Sequence, residues 1–257
     1  MRIAGRGHCV AAVSVTALCA VVLVACKPTA LPEAQRSVTA PEASTAATVP
    51  ALSGSAANAL ATLPVKGRAP MTGYSRAMFG PAWTDAVSVE GGHNGCDTRN
   101  DVLRRDLTAV QIKAATHGCT VLAGSLHDPY TGRTIAFTRG VRTSTAVQID
   151  HVVALGDSWQ TGAQQLSATQ RTNLANDPSN LWAVDGPTNA AKGDSDAASW
   201  LPPNKAIRCT YVARQVAVKQ SYHLWVTAAE KAAMGAVLSG CPGQPLPTAA
   251  QWATPIT

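Results

Sequence analysis

Residues 148–194 read QIDHVVALGDSWQTGAQQLSATQRTNLANDPSNLWAVDGPTNAAKGD, and this stretch decides the fold of the chain. Asp150 and His151 stand side by side at the end of an apolar, β-branched run. Asn180 opens a second short run, LWAV, and Asn189 follows nine positions later. Short apolar runs bounded by turn-forming residues indicate strands, so the stretch predicts a strand, a long excursion, a second strand and a helix.

The polar residues of this stretch suit the hydrolysis of a phosphodiester bond. That reaction needs an activated water and relief of the negative charge that develops on the phosphoryl group, which a hard divalent ion can supply. Asp150 and Asn189 offer the carboxylate and amide oxygens that such an ion binds, from a strand end and a helix start that can meet in a ββα unit. Because neighbours in a strand face opposite sides, we expect His151 to act as the base for water rather than as a co-ligand.

Four further residues are weaker candidates. Asn180 could tie the loop after the first strand to the second strand, although an Asn after Asp-Pro-Ser is also an ordinary turn residue. Lys192, one helical turn beyond Asn189, could meet a phosphate or lie on a solvated helix face. Asp97 and Arg99 could reach the site and bind substrate, but a helix cap and a surface salt bridge are the favoured explanation.

Three short motifs together carry a family resemblance: Asp150-His151, Asn180-Leu181 and Asn189-x-x-Lys192-Gly193-Asp194. This pattern resembles the HNH, or His-Me-finger, nuclease superfamily. Within that superfamily it is similar to the C-terminal domain of GmrSD-type restriction endonucleases, as found in secreted bacterial HNH proteins. The similarity runs from about Gly95 through Cys241, which is more than half of the chain.

The resemblance implies a role for each motif residue. It makes His151 the general base and Asp150 and Asn189 the ligands of one divalent cation, and it lets Asn180 position the loop. The third letter of the family pattern is Asn189 in this chain rather than a histidine, as in the Asn-ending variants of the superfamily. An amide ligand favours Mg²⁺, with Mn²⁺ as the other candidate, and weakens the case for Zn²⁺.

We expect an α+β fold in which a ββα-metal nuclease unit is embedded in a helix-rich single domain with a small antiparallel β element. The domain should span residues 71–242, with a loose C-terminal tail over 243–257. Its first helix should begin after an N-cap at Asp97 and continue to Val110, because its apolar residues are spaced for one helical face.

The first 70 residues predict export. Arg2 and Arg6 precede an uncharged apolar segment, and residues 1–25 therefore read as a signal peptide. The segment closes on LVAC, which resembles a bacterial lipobox and implies that Cys26 becomes lipidated and anchors the protein to the outer face of the cell membrane; a plain signal peptide or an uncleaved anchor is the alternative. Residues 26–70, rich in Ala, Ser, Thr and Pro, predict a disordered tether.

Export also bears on charge and on the cysteines. Loss of residues 1–25 removes two arginines and no acid, so the net charge falls from +6 to +4, which is too small to argue for a polyanionic partner alone. In an oxidising compartment the remaining cysteines should form two disulfides, and we favour the pairs Cys96–Cys119 and Cys209–Cys241 because each closes a local unit. The competing arrangement is a zinc site made of His93, Cys96, His117 and Cys119.

Two other groups of residues could bind nucleic acid, but their composition and spacing favour a structural role. A basic run without acids should lie on a solvated surface rather than form a DNA-binding stripe: Lys205, Arg208, Arg214 and Lys219. Four tryptophans should belong to the core rather than stack on bases: Trp159, Trp182, Trp200 and Trp225.

The sequence thus predicts an exported, metal-dependent endonuclease that acts as a monomer on DNA, with RNA left open, and with little sequence preference. The alternative is a non-catalytic lipoprotein that uses the same fold to bind DNA or envelope polymers. A third hypothesis is a metal-dependent phosphoesterase that cleaves small phosphodiesters and spares DNA.

Overall fold

A computed structural model describes residues 55–248 of the chain. The predicted signal peptide 1–25, the lipidation site Cys26 and the tether as far as residue 54 lie outside the described residues, as does the tail from residue 249. Among the helices of residues 55–248, none combines the length and the apolar character that crossing a membrane requires.

The described part of the chain forms an α+β domain, which is the predicted class. Its helices are α1 (Ala56–Thr62), α2 (Thr98–Asp106), α3 (Leu155–Gln160), α4 (Ala168–Asn176), α5 (Gly186–Lys192), α6 (Arg208–Ser221) and α7 (Ala228–Ser239). Its strands are β1 (Leu107–Ile112), β2 (Val121–His127), β3 (Thr134–Thr138), β4 (Val147–His151) and β5 (Leu181–Asp185).

The strands form two separate antiparallel sheets. One has the order β1-β2-β3, and the other consists of β4 and β5, in which Asp150 lies opposite Trp182. Helix α5 follows β5 directly and packs against both strands of the second sheet. It can approach closely because it begins with Gly186, where a Cβ atom would lie 2.0 Å from the carbonyl oxygen of Thr145.

The prediction that the first helix continues to Val110 was wrong. The side chain of Asp97 caps α2 as expected, accepting from the Asn100 amide at 2.9 Å, but the helix ends at Asp106 and Leu107 begins β1. A register shift in the pairing of β1 with β2 follows Thr108, and both Leu107 and Val110 pack into the same apolar cluster. The bulge therefore produces a three-residue apolar spacing that imitates a helix.

The folded domain is longer at both ends than residues 71–242. Helix α1 lies in the segment predicted to be disordered, and its Ala56 and Leu60 are buried in the core against α6 and α7. At the other end Leu246, in the predicted loose tail, is buried in the same cluster. The amide of Ala56 donates to the carbonyl of Gln244 at 2.8 Å, so the two ends of the domain are joined.

Both predicted disulfides are present. Cys96 is bonded to Cys119, and Cys209 is bonded to Cys241. Each loop closure should stabilise the fold by about 3 kcal/mol through the entropy of the unfolded chain. The alternative zinc site is excluded, because Cys96 and Cys119, two of its four proposed ligands, are joined in a disulfide.

Helix α6 corrects the expectation of a solvated basic run. Arg214 and Lys219 are buried, and the Lys219 ammonium lies 3.0 Å from Asp157 and 2.9 Å from Glu230. Arg214 instead donates to backbone carbonyls and lies over the ring of Trp182. The prediction of a solvated surface was wrong for Arg214 and Lys219, because the sequence alone does not distinguish a buried cation from an exposed one. The four tryptophans do pack in or against the core, as predicted.

The buried acids around Lys219 form a charge network. Oxygen atoms of Asp157, Asp196 and Glu230 lie within 4.8 Å of one another, and Arg68 contacts Asp196 at 2.7 Å. Two cations thus face three carboxylates. Burial raises the pKa of Glu230 to about 7, although the Lys219 charge lowers it, so this carboxyl group titrates near neutrality.

Glu230→Gln should therefore flatten the pH dependence of stability. In the wild type the unfolded carboxyl group releases its proton near its ordinary pKa of 4.5 and the folded one near 7, so stability falls as pH rises through this window, by about 3 kcal/mol at most. Urea unfolding at several pH values from 4 to 8 measures the slope. The matched control is Glu90→Gln on an exposed loop, which should leave the slope of stability against pH unchanged. If Glu230→Gln has the same slope as the wild type, the expectation is contradicted.

Candidate functional site

Strand β4 presents Asp150 and His151 to opposite sides, as the strand pattern predicts. The Asp150 carboxylate accepts hydrogen bonds from Lys192 of α5 and from Tyr130 of the β2–β3 turn. The His151 ring instead lies 2.9 Å from the carbonyl oxygen of Ala175 at the end of α4. The two side chains therefore have separate surroundings, although they are neighbours in sequence.

The surroundings of His151 suit a general base. A carbonyl oxygen can only accept, so Nε2 must carry the proton that it donates to Ala175. In the neutral ring Nδ1 is then an acceptor, and no hydrogen bond to it is made by residues 55–248. The indole of Trp83 is stacked on the imidazole, with ring centroids 6.0 Å apart and an interplanar angle of 14°. Burial, helped by the charges of Arg76 and Lys192, lowers the pKa of His151 to about 4 against the opposing hydrogen bond. The imidazole is therefore neutral at physiological pH.

The side chain of Asn180 joins the loop after β4 to the start of β5, as its position suggested. It is fully buried, and its side-chain oxygen accepts from the amide of Val153 at 2.8 Å. Its nitrogen donates to the carbonyls of Val153 and Leu174, and its own carbonyl accepts from Val152. These bonds hold the chain just after His151, so Asn180 can position the imidazole but touches only backbone groups.

Lys192 is neither a phosphate contact nor part of a solvated face. Its ammonium group is buried and donates to Asp150 Oδ1 at 2.9 Å and to the His151 carbonyl at 2.8 Å. The second oxygen of Asp150 accepts from the hydroxyl of Tyr130. Burial raises the pKa of Asp150, while Lys192 and Tyr130 oppose the rise. The carboxylate is thus already neutralised and hydrogen-bonded by the protein itself.

The residues predicted to hold a metal do not fit a divalent ion in this arrangement. Asp150 and Asn189 offer the right oxygen donors, and α5 carries Asn189 to the Asp150 side of β4, where its nitrogen donates to Gln148 at 2.9 Å. However, the ammonium group of Lys192 lies against the carboxylate oxygen that an ion would need. A divalent ion can bind Asp150 only if this ammonium moves away.

The two substrate-binding candidates on α2 lie apart from both side chains. Asp97 accepts from the backbone and side chain of Asn100, as a helix cap does. Arg99 is half-buried and donates to the carbonyl of Val147 at 3.4 Å. Neither has a hydrogen bond with Asp150 or His151 among the described residues. The cap was the favoured explanation for Asp97, whereas Arg99 bonds to backbone instead of forming a surface salt bridge.

Sequence reasoning missed the cavity beside His151. This space of about 200 Å³ is walled by the segment 76–83 and by the end of α4, including Arg76, Trp83 and Asn176. The wall residues of the segment 76–83 lie about 70 positions before His151 in the chain, and no motif or periodicity connects them to it. Tyr130, the second partner of Asp150, lies in the β2–β3 turn and likewise belongs to no motif that connects it to Asp150.

Comparisons with known proteins agree with the resemblance. Residues 97–237 match the family described as GmrSD restriction endonucleases, C-terminal domain. A protein of Arthroderma benhamiae described as an uncharacterized secreted protein is 40% identical over 184 residues, which cover 71% of this chain and 82% of the relative. No solved structure matches.

The matched region contains the whole of the β4–β5 sheet and α5, with Asp150, His151, Asn180 and Asn189. It points to a nuclease-like function for the domain that carries these residues. The chain belongs to the family of the C-terminal domain of GmrSD restriction endonucleases.

Proposed function

We propose that the protein is an exported endonuclease that hydrolyses the phosphodiester bonds of DNA with little sequence preference, with RNA left open as a substrate. The observation that carries this proposal is a neutral imidazole, His151, with Nδ1 free to accept a proton in a cavity large enough for a phosphate group. Its position in a domain of a restriction-endonuclease family supports hydrolysis of nucleic acid over other phosphodiesters.

The chemistry assigned to His151 is proton abstraction from water. Nδ1 takes a proton as the water oxygen attacks phosphorus, and the bond between phosphorus and the leaving oxygen breaks while that oxygen takes a proton from solvent. The carbonyl of Ala175 keeps the ring oriented and stabilises the imidazolium that forms, because it accepts from Nε2. Asn180 keeps the backbone after His151 in place.

A divalent cation, Mg²⁺ or Mn²⁺, is the expected cofactor, as is usual for nucleases of this kind. When bound, such an ion supplies positive charge for the phosphoryl group and the leaving oxygen. We propose that Asp150 and Asn189 are its ligands within a ββα unit formed by β4, β5 and α5. Lys192 holds Asp150 in the structure, so its ammonium group would have to leave the carboxylate before these ligands could hold a cation.

Export is supported by the predicted signal peptide, by the two disulfides and by a relative described as secreted. Lipidation of Cys26, attachment to the membrane through it, and a monomeric state remain predictions. The alternative function, a non-catalytic lipoprotein that binds DNA or envelope polymers, draws support from the Lys192–Asp150 pair, because this pair leaves the predicted metal ligands engaged.

Digestion of plasmid DNA tests the proposal. The chain from residue 55 onward, with both disulfides formed, should nick supercoiled plasmid in Mg²⁺ or Mn²⁺ and should stop in EDTA. His151→Ala should lower the rate at least about a hundredfold, because general-base catalysis contributes 10²- to 10⁴-fold. His127→Ala, an exposed histidine at the end of β2, is the matched control and should cleave normally. Plasmid that is retarded on a gel but left intact would favour the binding protein.

The pH profile of cleavage should identify His151 as the base. Its neutral form is required, and its pKa is lowered to about 4, so kcat/KM should rise with pH through about 4 and stay level above about 5. An unperturbed histidine would place this limb near pH 6.5. A measured midpoint near 6.5 would contradict the buried, neutral imidazole. Circular dichroism at each pH confirms that the chain remains folded.

Lys192→Met should strengthen metal binding. The variant removes the cation that competes for Asp150, so the Kd for Mn²⁺ should fall at least about tenfold, which corresponds to about 1.4 kcal/mol. Electron paramagnetic resonance of free Mn²⁺ measures this without any substrate. Adding Asp150→Asn to Lys192→Met should abolish the gain, and Lys113→Met, an exposed lysine, should have no effect. Unchanged affinity in Lys192→Met would place any metal elsewhere.

The same variant should be less stable without metal. Removing one partner of a buried ion pair leaves the other charge uncompensated, which costs about 3–5 kcal/mol. Urea unfolding in EDTA should show this loss, and Mn²⁺ should restore part of it.

A further inference from the structure

The cavity beside His151 has a wall that comes from outside the matched family region. Residues 76–83 precede residue 97, where the match begins, and they line the cavity together with His151 and Asn176. This wall is firmly held. Phe79 is buried in an apolar cluster, and the guanidinium group of Arg171 on α4 donates to the carbonyl of Met78 at 2.8 Å.

Arg76 is a cation at this cavity without an acidic partner. Its side chain is exposed, and it forms no hydrogen bond or ion pair with any residue of the described chain. Arg76 and His151 line the same cavity. A guanidinium group without an acidic partner makes the cavity attractive to an anion, and its fork of N–H donors matches the oxygens of a phosphate.

Asn176 adds a buried acceptor to the same cavity. This residue is 1% exposed, and its side-chain nitrogen donates to the carbonyl of Thr172 at 2.9 Å. Its side-chain oxygen has no hydrogen-bond partner among the described residues. A buried oxygen of this kind is costly by about 1–3 kcal/mol if it stays unpaired, so it is suited to accept from a bound molecule. Asn176 and His151 line the same cavity, so a water bound there could donate to this oxygen and to Nδ1.

We propose that this cavity binds one phosphodiester group of a nucleic-acid strand, with Arg76 donating to its non-bridging oxygens. Trp83, which lines the cavity, contacts the adjoining sugar or base, and the oxygen of Asn176 and Nδ1 of His151 orient the attacking water. This inference rests on the proposed function, because it names the residues that bring the phosphate to His151. It assigns substrate binding to a segment that the family match does not include.

Binding measured without cleavage tests the assignment of Arg76. In the His151→Ala background and in EDTA, a fluorescent single-stranded 12-mer is titrated at several salt concentrations, and anisotropy gives the affinity. Each phosphate contact contributes about −0.7 to the slope of log K against log salt for single strands. Arg76→Gln should therefore make the slope less negative by about 0.7. Arg142→Gln, an exposed arginine in the loop before β4, makes the same charge change and should leave the slope unchanged.

Cleavage kinetics give the second readout. With His151 intact, Arg76→Gln should lower kcat/KM on plasmid by about ten- to a hundredfold, the loss expected for a hydrogen bond to a charged group. Arg76→Lys should keep the salt slope and recover part of kcat/KM, because it retains the charge without the fork. Recovery in Arg76→Lys would also show that the loss in Arg76→Gln is not caused by misfolding.

The outcomes separate this inference from the proposed function. If plasmid is cleaved but Arg76→Gln behaves as Arg142→Gln does, the phosphate site is wrong and the nuclease stands. If no DNA is cleaved but the salt slope changes only in Arg76→Gln, the phosphate site stands and the nuclease is wrong. A chain that does not bind the 12-mer at low salt overturns the site outright.

Discussion

The ion pair between Lys192 and Asp150 is the interaction on which the centre of the molecule depends. One buried ammonium group joins helix α5 to the end of strand β4 and also holds the carbonyl of His151. The hydroxyl of Tyr130 brings the β2–β3 turn to the same carboxylate. Both charges lack access to water, so each requires the other, and removing either would leave a charge stranded in the interior. The position of the imidazole is therefore set by a polar contact on the opposite side of its own strand.

This arrangement separates two tasks that the motif places next to each other in sequence. His151 faces an open cavity and stays neutral because burial disfavours its charged form. Asp150 faces the protein interior, where its charge is satisfied by a lysine. In the structure, then, the imidazole of His151 borders a cavity while the carboxylate of Asp150 is engaged by Lys192. In the proposed function, His151 is therefore available as a base before any cation reaches Asp150.

Much of the fold was predictable because local signals agreed with the tertiary structure. The strands β4 and β5, the helix cap at Asp97 and both disulfides follow from short patterns that packing does not override. The failures have physical causes. The bulge in β1 reproduces a helical spacing, the small residues of α1 have the composition of a tether, and Lys219 is buried only because acids from other helices surround it. The opposite orientations of Asp150 and His151 could be predicted, but the approach of Arg76 and Trp83 to His151 could not, because only folding brings them there.

The join between the two ends of the domain has a practical consequence. Ser55 and Pro245 form a β-bridge, so the described chain enters and leaves the fold at one place. A short peptide could connect these ends, and the chain could then be opened in a surface loop such as that around Val141, which is fully exposed, to give a circular permutant. For the same reason, a fusion partner placed at either end would start from the same patch of surface, beside α1.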